Sequence, residues 1–324
     1  MKQKDELIRN PKDIGRHIVI LGAGASRAAI GHRSPTMNEL VETTGIKTLL
    51  ESNAFSFFEN FEELYSNLSS DEKNQKLLLE IEEIIHDYFS GLNLPAEATH
   101  YDRMLLSLRK KDSIFSFNWD PFLFDAYKRN RHLGNLPGIF FLHGNVRIGA
   151  CPNHSYRFGD LYGICPDCST PYSKVPLLYP IGKKNYQNNS YIAAQWARAK
   201  KELAEAFTLT IFGYSAPTSD VDAKELLKLA WKNSSTREFE HIEIIDIEEK
   251  DVLCSRWADF SPTFHFLYCR DFHESRLWNW PRRTCESLWY PMAEGVPCES
   301  FPLPNNKPLD QLQDFISYIS KFET

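Results

Sequence analysis

The chain reads as an α/β protein: a parallel six-stranded sheet with helices on both faces, joined to a smaller lobe. Three observations lead there. Short apolar runs without a polar break alternate with stretches of helical period, as expected of strands covered on both sides. The first of these runs, Ile18-Val-Ile-Leu21, feeds directly into a glycine turn, Gly22-Ala-Gly-Ala-Ser26. Two stretches stand outside the alternation: residues 41–110, mostly helical in pattern, and residues 146–180, rich in Gly, Pro and Cys. Both read as insertions that build the smaller lobe.

Each element can be justified in order. The strand runs are His17–Leu21, Ser113–Phe117, Ile139–Leu142, Thr208–Phe212, His241–Ile247 and Thr263–Cys269. The Ser26–Ile30 helix follows the first glycine turn, so the opening unit is Rossmann-like: Gly22 and Gly24 permit a tight turn, and a helix N-terminus faces any anion bound there. Leu77–Phe89 has apolar residues at 77, 78, 81, 84, 85, 88 and 89, a 3.6-residue period. Tyr191–Phe207 and Val221–Trp231 also predict helices. The tail from about Arg276 is rich in Trp and Pro and ends in an amphipathic stretch, Leu309–Phe322. Its Trp278, Trp280, Trp289 and Tyr290 either pin the tail to the core or line an oligomer interface.

Composition excludes several classes. A net charge of −6 supplies no global field for nucleic acid or an anionic membrane. The polar start Met-Lys-Gln-Lys-Asp-Glu-Leu is unlike a signal peptide, and no apolar run approaches a membrane span, so a cytoplasmic protein is expected. Seven cysteines, an odd number, suit reduced thiols or a metal site better than a disulfide framework.

Four of the potential ligands are spaced for metal. Cys151-Pro-Asn-His154 and Cys165-Pro-Asp-Cys168 each separate their ligands by two residues, and ten residues lie between the pairs. Thiolates and an imidazole so spaced close a tetrahedral zinc site, and with all four positions filled by protein the zinc would be structural. Cys254, Cys269, Cys285 and Cys298 show no such pairing and are expected as buried thiols. The expected organisation is then a Rossmann-like core of residues 1–40, 105–145 and 181–275, a helical insertion at 41–104, a zinc-binding module at 146–180 and a C-terminal tail at 276–324.

Polar residues gather where strands end. Asn118 and Asp120 follow the second strand, His143 the third, Gly213-Tyr214-Ser215 the fourth and Asp246 the fifth. In an open parallel sheet, ligands bind outside the carboxyl ends of the strands. Each residue also has a plainer reading. Asn118 or Asp120 would cap a helix starting at Pro121, His143 would be a core histidine, and Gly213 would be a simple turn.

The ordered series resembles the sirtuin superfamily of NAD-consuming proteins, over roughly residues 15–272. Gly22-Ala23-Gly24-Ala-Ser26 resembles its phosphate loop, and Ser34-Pro35-Thr-Met-Asn-Glu-Leu40 the following loop of the bacterial sirtuin-like branch. Phe117-Asn118-Trp119-Asp120 resembles the Asn-x-Asp motif, His143-Gly144 the catalytic His-Gly pair, and Gly213-Tyr214-Ser215 the Gly-x-Ser turn at the adenosine ribose. The knuckles after His143 are similarly placed, although deacylating sirtuins carry four cysteines where this chain has three and a histidine. The deacylase Pro-Asp-Phe-Arg run is absent. So is the Phe-Gly-Glu peptide clamp, whose place is taken by residues 176–186.

The resemblance implies NAD as substrate and a structural zinc. It implies an NAD glycohydrolase releasing nicotinamide and ADP-ribose, of the kind that bacteria use in anti-phage defence. It leaves open an NAD-dependent protein deacylase or ADP-ribosyltransferase, and a non-catalytic NAD or ADP-ribose sensor. A dehydrogenase fits poorly, since the glycine turn lacks its third glycine. Under the hydrolase reading His143 is the general base, Asn118 holds a ribose hydroxyl or the attacking water, and Asp120 orients that network or the nicotinamide end. Gly22, Ala23, Gly24 and Ser26 would cradle the pyrophosphate beside Pro35, and Ser215 and Asp246 would bind the adenosine ribose. An activating protein partner and a homo-oligomer are further expectations.

Overall fold

The computed structural model describes residues 1–53, 55, 60–154, 156–180, 186–217, 220–232, 241–258, 260 and 266–323. Nine strands occur among them: β1 (Arg16–Leu21), β2 (Ser113–Ser116), β3 (Gly138–Phe141), β4 (Ile148–Ala150), β5 (Phe158–Asp160), β6 (Ser173–Lys174), β7 (Ala206–Phe212), β8 (Ile242–Ile245) and β9 (Phe266–Cys269). Residues 263–265 of the sixth expected strand lie outside the described residues. The helices of the first half are α1 (Lys4–Arg9), α2 (Ala23–Ile30), α3 (Met37–Thr43), α4 (Ile46–Ser52), α5 (Phe61–Ser69), α6 (Gln75–Gly91), α7 (His100–Ser107) and α8 (Phe122–Asn130). Those of the second half are α9 (Ser190–Ala204), α10 (Val221–Lys232), α11 (Lys250–Trp257), α12 (Arg276–Asn279), α13 (Thr284–Trp289) and α14 (Leu309–Ser320).

Six strands form one parallel sheet in the order β3-β2-β1-β7-β8-β9. Ile18, Val19, Ile20 and Leu21 are all fully buried. Successive strand residues point to opposite faces, so an unbroken buried run requires cover on both, which the helices supply. The first three strands run outward from β1 and the next three return on its other side, so the order reverses between β1 and β7. That boundary is the topological switch point, where open α/β sheets form their ligand crevice. The register aligns the strand ends in one row: Phe141, Ser116, Leu21, Phe212, Ile245 and Cys269 are successive partners across the sheet. The loops leaving these residues therefore emerge on one edge, next to one another.

The smaller lobe has a core of its own. Leu40, Val41, Ile46, Leu50, Phe61, Leu64, Leu68, Ile81, Ile85 and Phe89 of α3 to α6 bury one another and close against Trp119, Val146 and Leu177. The expected insertion boundary at 104 falls inside α7, whose Tyr101, Met104 and Leu105 belong to the main core instead. Residues 148–174, expected as loop around the knuckles, contain a three-stranded antiparallel sheet ordered β5-β4-β6. The helix expected to reach Phe207 stops at Ala204, and Ala206 and Phe207 already belong to β7. Apolar residues run through that junction, so helical period alone could not find it.

The tail packs on the core. Leu277, Trp278, Tyr290, Phe301, Leu303, Leu312, Ile316 and Ile319 join the main cluster, and Trp280 and Trp289 rest against it. Among the described residues no helix is long and apolar enough to cross a membrane.

Candidate functional site

The switch point is built from two glycine loops locked together. Gly22 N–H donates to the Phe212 carbonyl at 3.1 Å, and Gly24 N–H to the Gly213 carbonyl at 2.9 Å. Gly213 has φ +58°, and a Cβ there would lie 2.3 Å from Ala25 N; one at Gly22 would lie 2.5 Å from the Gly213 oxygen. The glycines are therefore required by close approach of one loop to the other. With Ala25 N–H donating to the Gly22 carbonyl at 3.0 Å, three of the loop's N–H groups are already engaged, so an anion at the start of α2 would meet chiefly Ala23 and the helix end.

Asn118 braces this arrangement from β2. Its Nδ2 donates to the Gly22 carbonyl at 2.9 Å, to Ser26 Oγ at 2.9 Å and toward Tyr101 Oη at 3.2 Å. Since the Gly22 oxygen can only accept, the amide must present its nitrogen there, leaving Oδ1 as its remaining polar atom. Ser26 is fully buried. Its Oγ donates to Asp120 Oδ2 at 2.5 Å, accepts from Asn118, and lies 2.6 Å from the Tyr101 hydroxyl. One proton given and two received saturate a hydroxyl. Ser26 is absent from the cavity wall, so the expected pyrophosphate contact from Ser26 is corrected: it sits beneath the loop and holds Asn118 and Asp120 in place. The reason is helical geometry, which turns residue 26 toward the core while Ala23 and Gly24 face outward.

Asp120 has the plainer of its two readings at one oxygen. Its Oδ1 accepts from Phe122 N–H at 3.2 Å at the start of α8. Burial pushes its carboxyl up to about 6, with the Ser26 and Phe122 hydrogen bonds acting against it. His143 follows β3, whose ladder continues through Leu142 N–H to the Ser116 carbonyl at 2.9 Å. The His143 carbonyl accepts from Leu178 N–H at 2.9 Å. Gly144 has φ +81°, and a Cβ there would come within 2.2 Å of the Pro176 oxygen. The segment 176–178 thus pins the histidine backbone, and only glycine fits beside it. The Phe117 ring meets the imidazole at right angles, at 4.7 Å and 89°, and Phe117 stacks on Tyr214 at 4.3 Å and 5°.

These residues line one cavity of about 650 Å³, within the range of small-molecule sites. Gly22, Ala23, Gly24, Pro35, Asn118, Asp120, His143, Gly213, Tyr214, Ser215 and Asp246 all face it. Asp246, past the end of β8, shapes its own turn by accepting from Glu248 N–H at 3.0 Å. The cavity also holds residues that the sequence reading missed. Arg27, one turn along α2 from Gly24, makes a two-pronged ion pair with Glu39 at 2.9 Å on each arm. Thr36 N–H donates to the same carboxylate at 2.9 Å, so Arg27 fastens the loop that carries Pro35. Its spacing from Gly24 was the available signal. Asp220, whose Oδ1 lies 3.8 Å from His143 Nε2, carried no spacing signal; it is in the loop before α10.

The knuckles bring four donor atoms together. Cys151 Sγ, His154 Nδ1, Cys165 Sγ and Cys168 Sγ all lie within 4.8 Å of one another. Cys151 is 3.6 Å from His154 Nδ1 and 3.5 Å from Cys168 Sγ, and Cys165 is 3.5 Å from His154 Nδ1. Zinc bonds of about 2.0–2.3 Å place tetrahedral ligand atoms roughly 3.5–3.8 Å apart, so the set fits zinc. Asn153 N–H points at Cys151 Sγ from 3.4 Å, and Thr170 Oγ1 lies 3.3 Å from Cys168 Sγ, contacts that orient thiolate ligands.

No family model and no curated protein matches the chain. Among solved structures, it is similar to a Sir2 homologue mutant bound to ADP ribose, at 11% identity and TM-score 0.43 over 99% of each chain. It is similar to a Sir2 homologue–NAD complex at 12% identity and TM-score 0.35, over 96% of this chain and 91% of the other. A structure described as addressing the mechanism and regulation of Sir2 enzymes is 15% identical with TM-score 0.39, over 81% of this chain and 91% of its own.

Proposed function

We propose that the chain is an NAD glycohydrolase that cleaves the bond between nicotinamide and ribose. The observation that carries this reading is one cavity at the β1/β7 switch point whose wall includes both glycine loops, His143 and Asp246. Such a crevice suits a dinucleotide. The start of α2 with Ala23 N–H suits the pyrophosphate, and Ser215 with the Asp246 carboxylate suits the hydroxyls of the adenosine ribose. That end of the site would leave the second ribose beneath His143 and Asn118.

The chemistry asks little of an acid. The C1′–N bond breaks with its electron pair moving to the pyridinium nitrogen, and nicotinamide leaves neutral. Positive charge develops on the sugar as in glycoside hydrolysis. Water adds at C1′ and His143 takes its proton, giving ADP-ribose. Asn118 Oδ1 would hold a ribose hydroxyl or that water. The work left to the protein is positioning and electrostatics.

The test is nicotinamide release from NAD by the purified chain. His143→Ala should lower turnover by about 10²–10⁴-fold, the usual worth of a general base, with the melting temperature nearly unchanged. Wild-type turnover in the folded variant would refute the assignment. Adding an acetyl-lysine peptide tests the deacylase reading, since an acetylated ADP-ribose would be its product. The biological setting proposed is NAD depletion in anti-phage defence, which predicts loss of phage restriction in the same variant.

A further inference from the structure

We propose that Asp220 is the positioning residue of His143, so that the reactive unit is a Tyr214–Asp220–His143 array. The proposal rests on the NAD-cleavage reading above and adds to it the group that governs the base. Asp220 Oδ1 lies 3.8 Å from His143 Nε2. Its other oxygen, Oδ2, accepts from the Tyr214 hydroxyl at 3.1 Å. The His143 and Asp220 side chains are only 6% and 7% exposed, and both line the cavity.

The Asp220 backbone is fixed as well as its carboxylate. Asp220 N–H donates to the Pro217 carbonyl at 2.9 Å. The Tyr214 ring stacks on Phe117, and the Phe117 ring packs perpendicular to the imidazole. One aromatic ring therefore fixes both the phenol that braces Asp220 and the histidine that Asp220 faces. Tyr186, whose ring lies 6.3 Å from the imidazole, closes the other flank.

The physical consequence follows from charge. A carboxylate beside an imidazole favours the protonated ring, and screening is weak where both are buried. When His143 takes a proton during water attack, the new positive charge arises opposite Asp220. The histidine is thereby held for that one proton transfer, as an orienting acid holds the base in hydrolytic triads. Asp120, the acid first expected to orient the network, is engaged instead with Ser26 and the start of α8.

Asp220→Asn removes the charge and keeps an oxygen for the Tyr214 hydroxyl. With the full chain, kcat for nicotinamide release should fall about 10²-fold or more while KM stays within about threefold. In protein labelled with 15N-histidine, the fraction of His143 carrying protons on both ring nitrogens at neutral pH should fall relative to wild type. Tyr214→Phe, which removes only the brace, should move both readouts in the same direction by less. The two readouts separate the claims. A wild type that releases no nicotinamide but whose imidazole responds to Asp220→Asn would defeat the hydrolase reading and leave the pair standing. Unchanged imidazole protonation in a folded Asp220→Asn protein would overturn the pair, whatever kcat does, and so would wild-type kcat in that variant.

Discussion

Asp120 shows how much of this site is spent on its own foundations. Among the described residues its carboxyl pairs with no cation; it accepts from Ser26 and from the α8 backbone while buried. Burial outweighs those bonds and raises the group from 3.8 to about 6. The folded chain therefore binds this proton more tightly than the unfolded chain does. The associated stability is fully present below 3.8 and is lost as pH rises through about 6. Asp120→Asn carries no such proton. The stability of wild type relative to Asp120→Asn should be greatest near about pH 3.5, shrink as pH rises to about 6 and stay level above it. Urea denaturation of both proteins across that range checks the slope, and a difference independent of pH would contradict it. That Asn118, His143 and Asp246 line one cavity was legible because each follows an apolar run, and those runs end side by side on one edge of the sheet. Ser26 was misread because a motif does not say which side of a helix faces the core. Asp220 was invisible, since its meaning depends on a contact between residues 143 and 220.

At the scale of elements, legibility followed length. The six strands of the main sheet announced themselves as apolar runs, and the 17 residues of α6 as a helical period. The strands of the knuckle module are two or three residues each, too short to show a period. Strands so short do not hold a sheet by themselves. Apolar burial in the module is sparse, and Tyr156, Phe158, Tyr162 and Ile164 remain exposed. Its stability must come from the four ligands, as in small metal-dependent modules. The purified chain should contain one zinc, measured by elemental analysis. Cys165→Ala, at a fully buried ligand, should lose that metal and become sensitive to protease between β4 and β6, with the main sheet intact. Full metal retention in Cys165→Ala would remove the site.

At the scale of the whole molecule, the two ends of the chain meet on a pair of buried arginines. Arg283 Nε donates to the Leu7 carbonyl at 2.8 Å and its Nη2 to the Ile8 carbonyl at 2.6 Å, which anchors α1. Arg282 Nη1 donates to the Leu108 carbonyl at 2.9 Å, beside the start of β2. Both guanidinium groups pair with Glu323 just past α14. Arg282 and Arg283 are 2% and 0% exposed, so Glu323, with the buried Glu286 acting on Arg283, offsets charge that water does not reach. The sequence left the tail either pinned to the core or lining an oligomer interface, and did not show these charges as its anchor, because neither arginine nor Glu323 belongs to a periodic pattern. Removing one partner of a buried ion pair costs about 3–5 kcal/mol, since the charge left behind stays desolvated. With an unfolding entropy of about 2.1 cal/mol/K per residue, a chain of this length moves its melting temperature by roughly 1.5 °C per kcal/mol. Glu323→Gln should therefore lower it by on the order of 4–8 °C in calorimetry. Asp310→Asn, at an exposed carboxylate of α14, should change it by no more than about a degree. Equal shifts in the two variants would mean that the tail is held by its apolar face alone, and that the buried charges do not fasten the chain ends together.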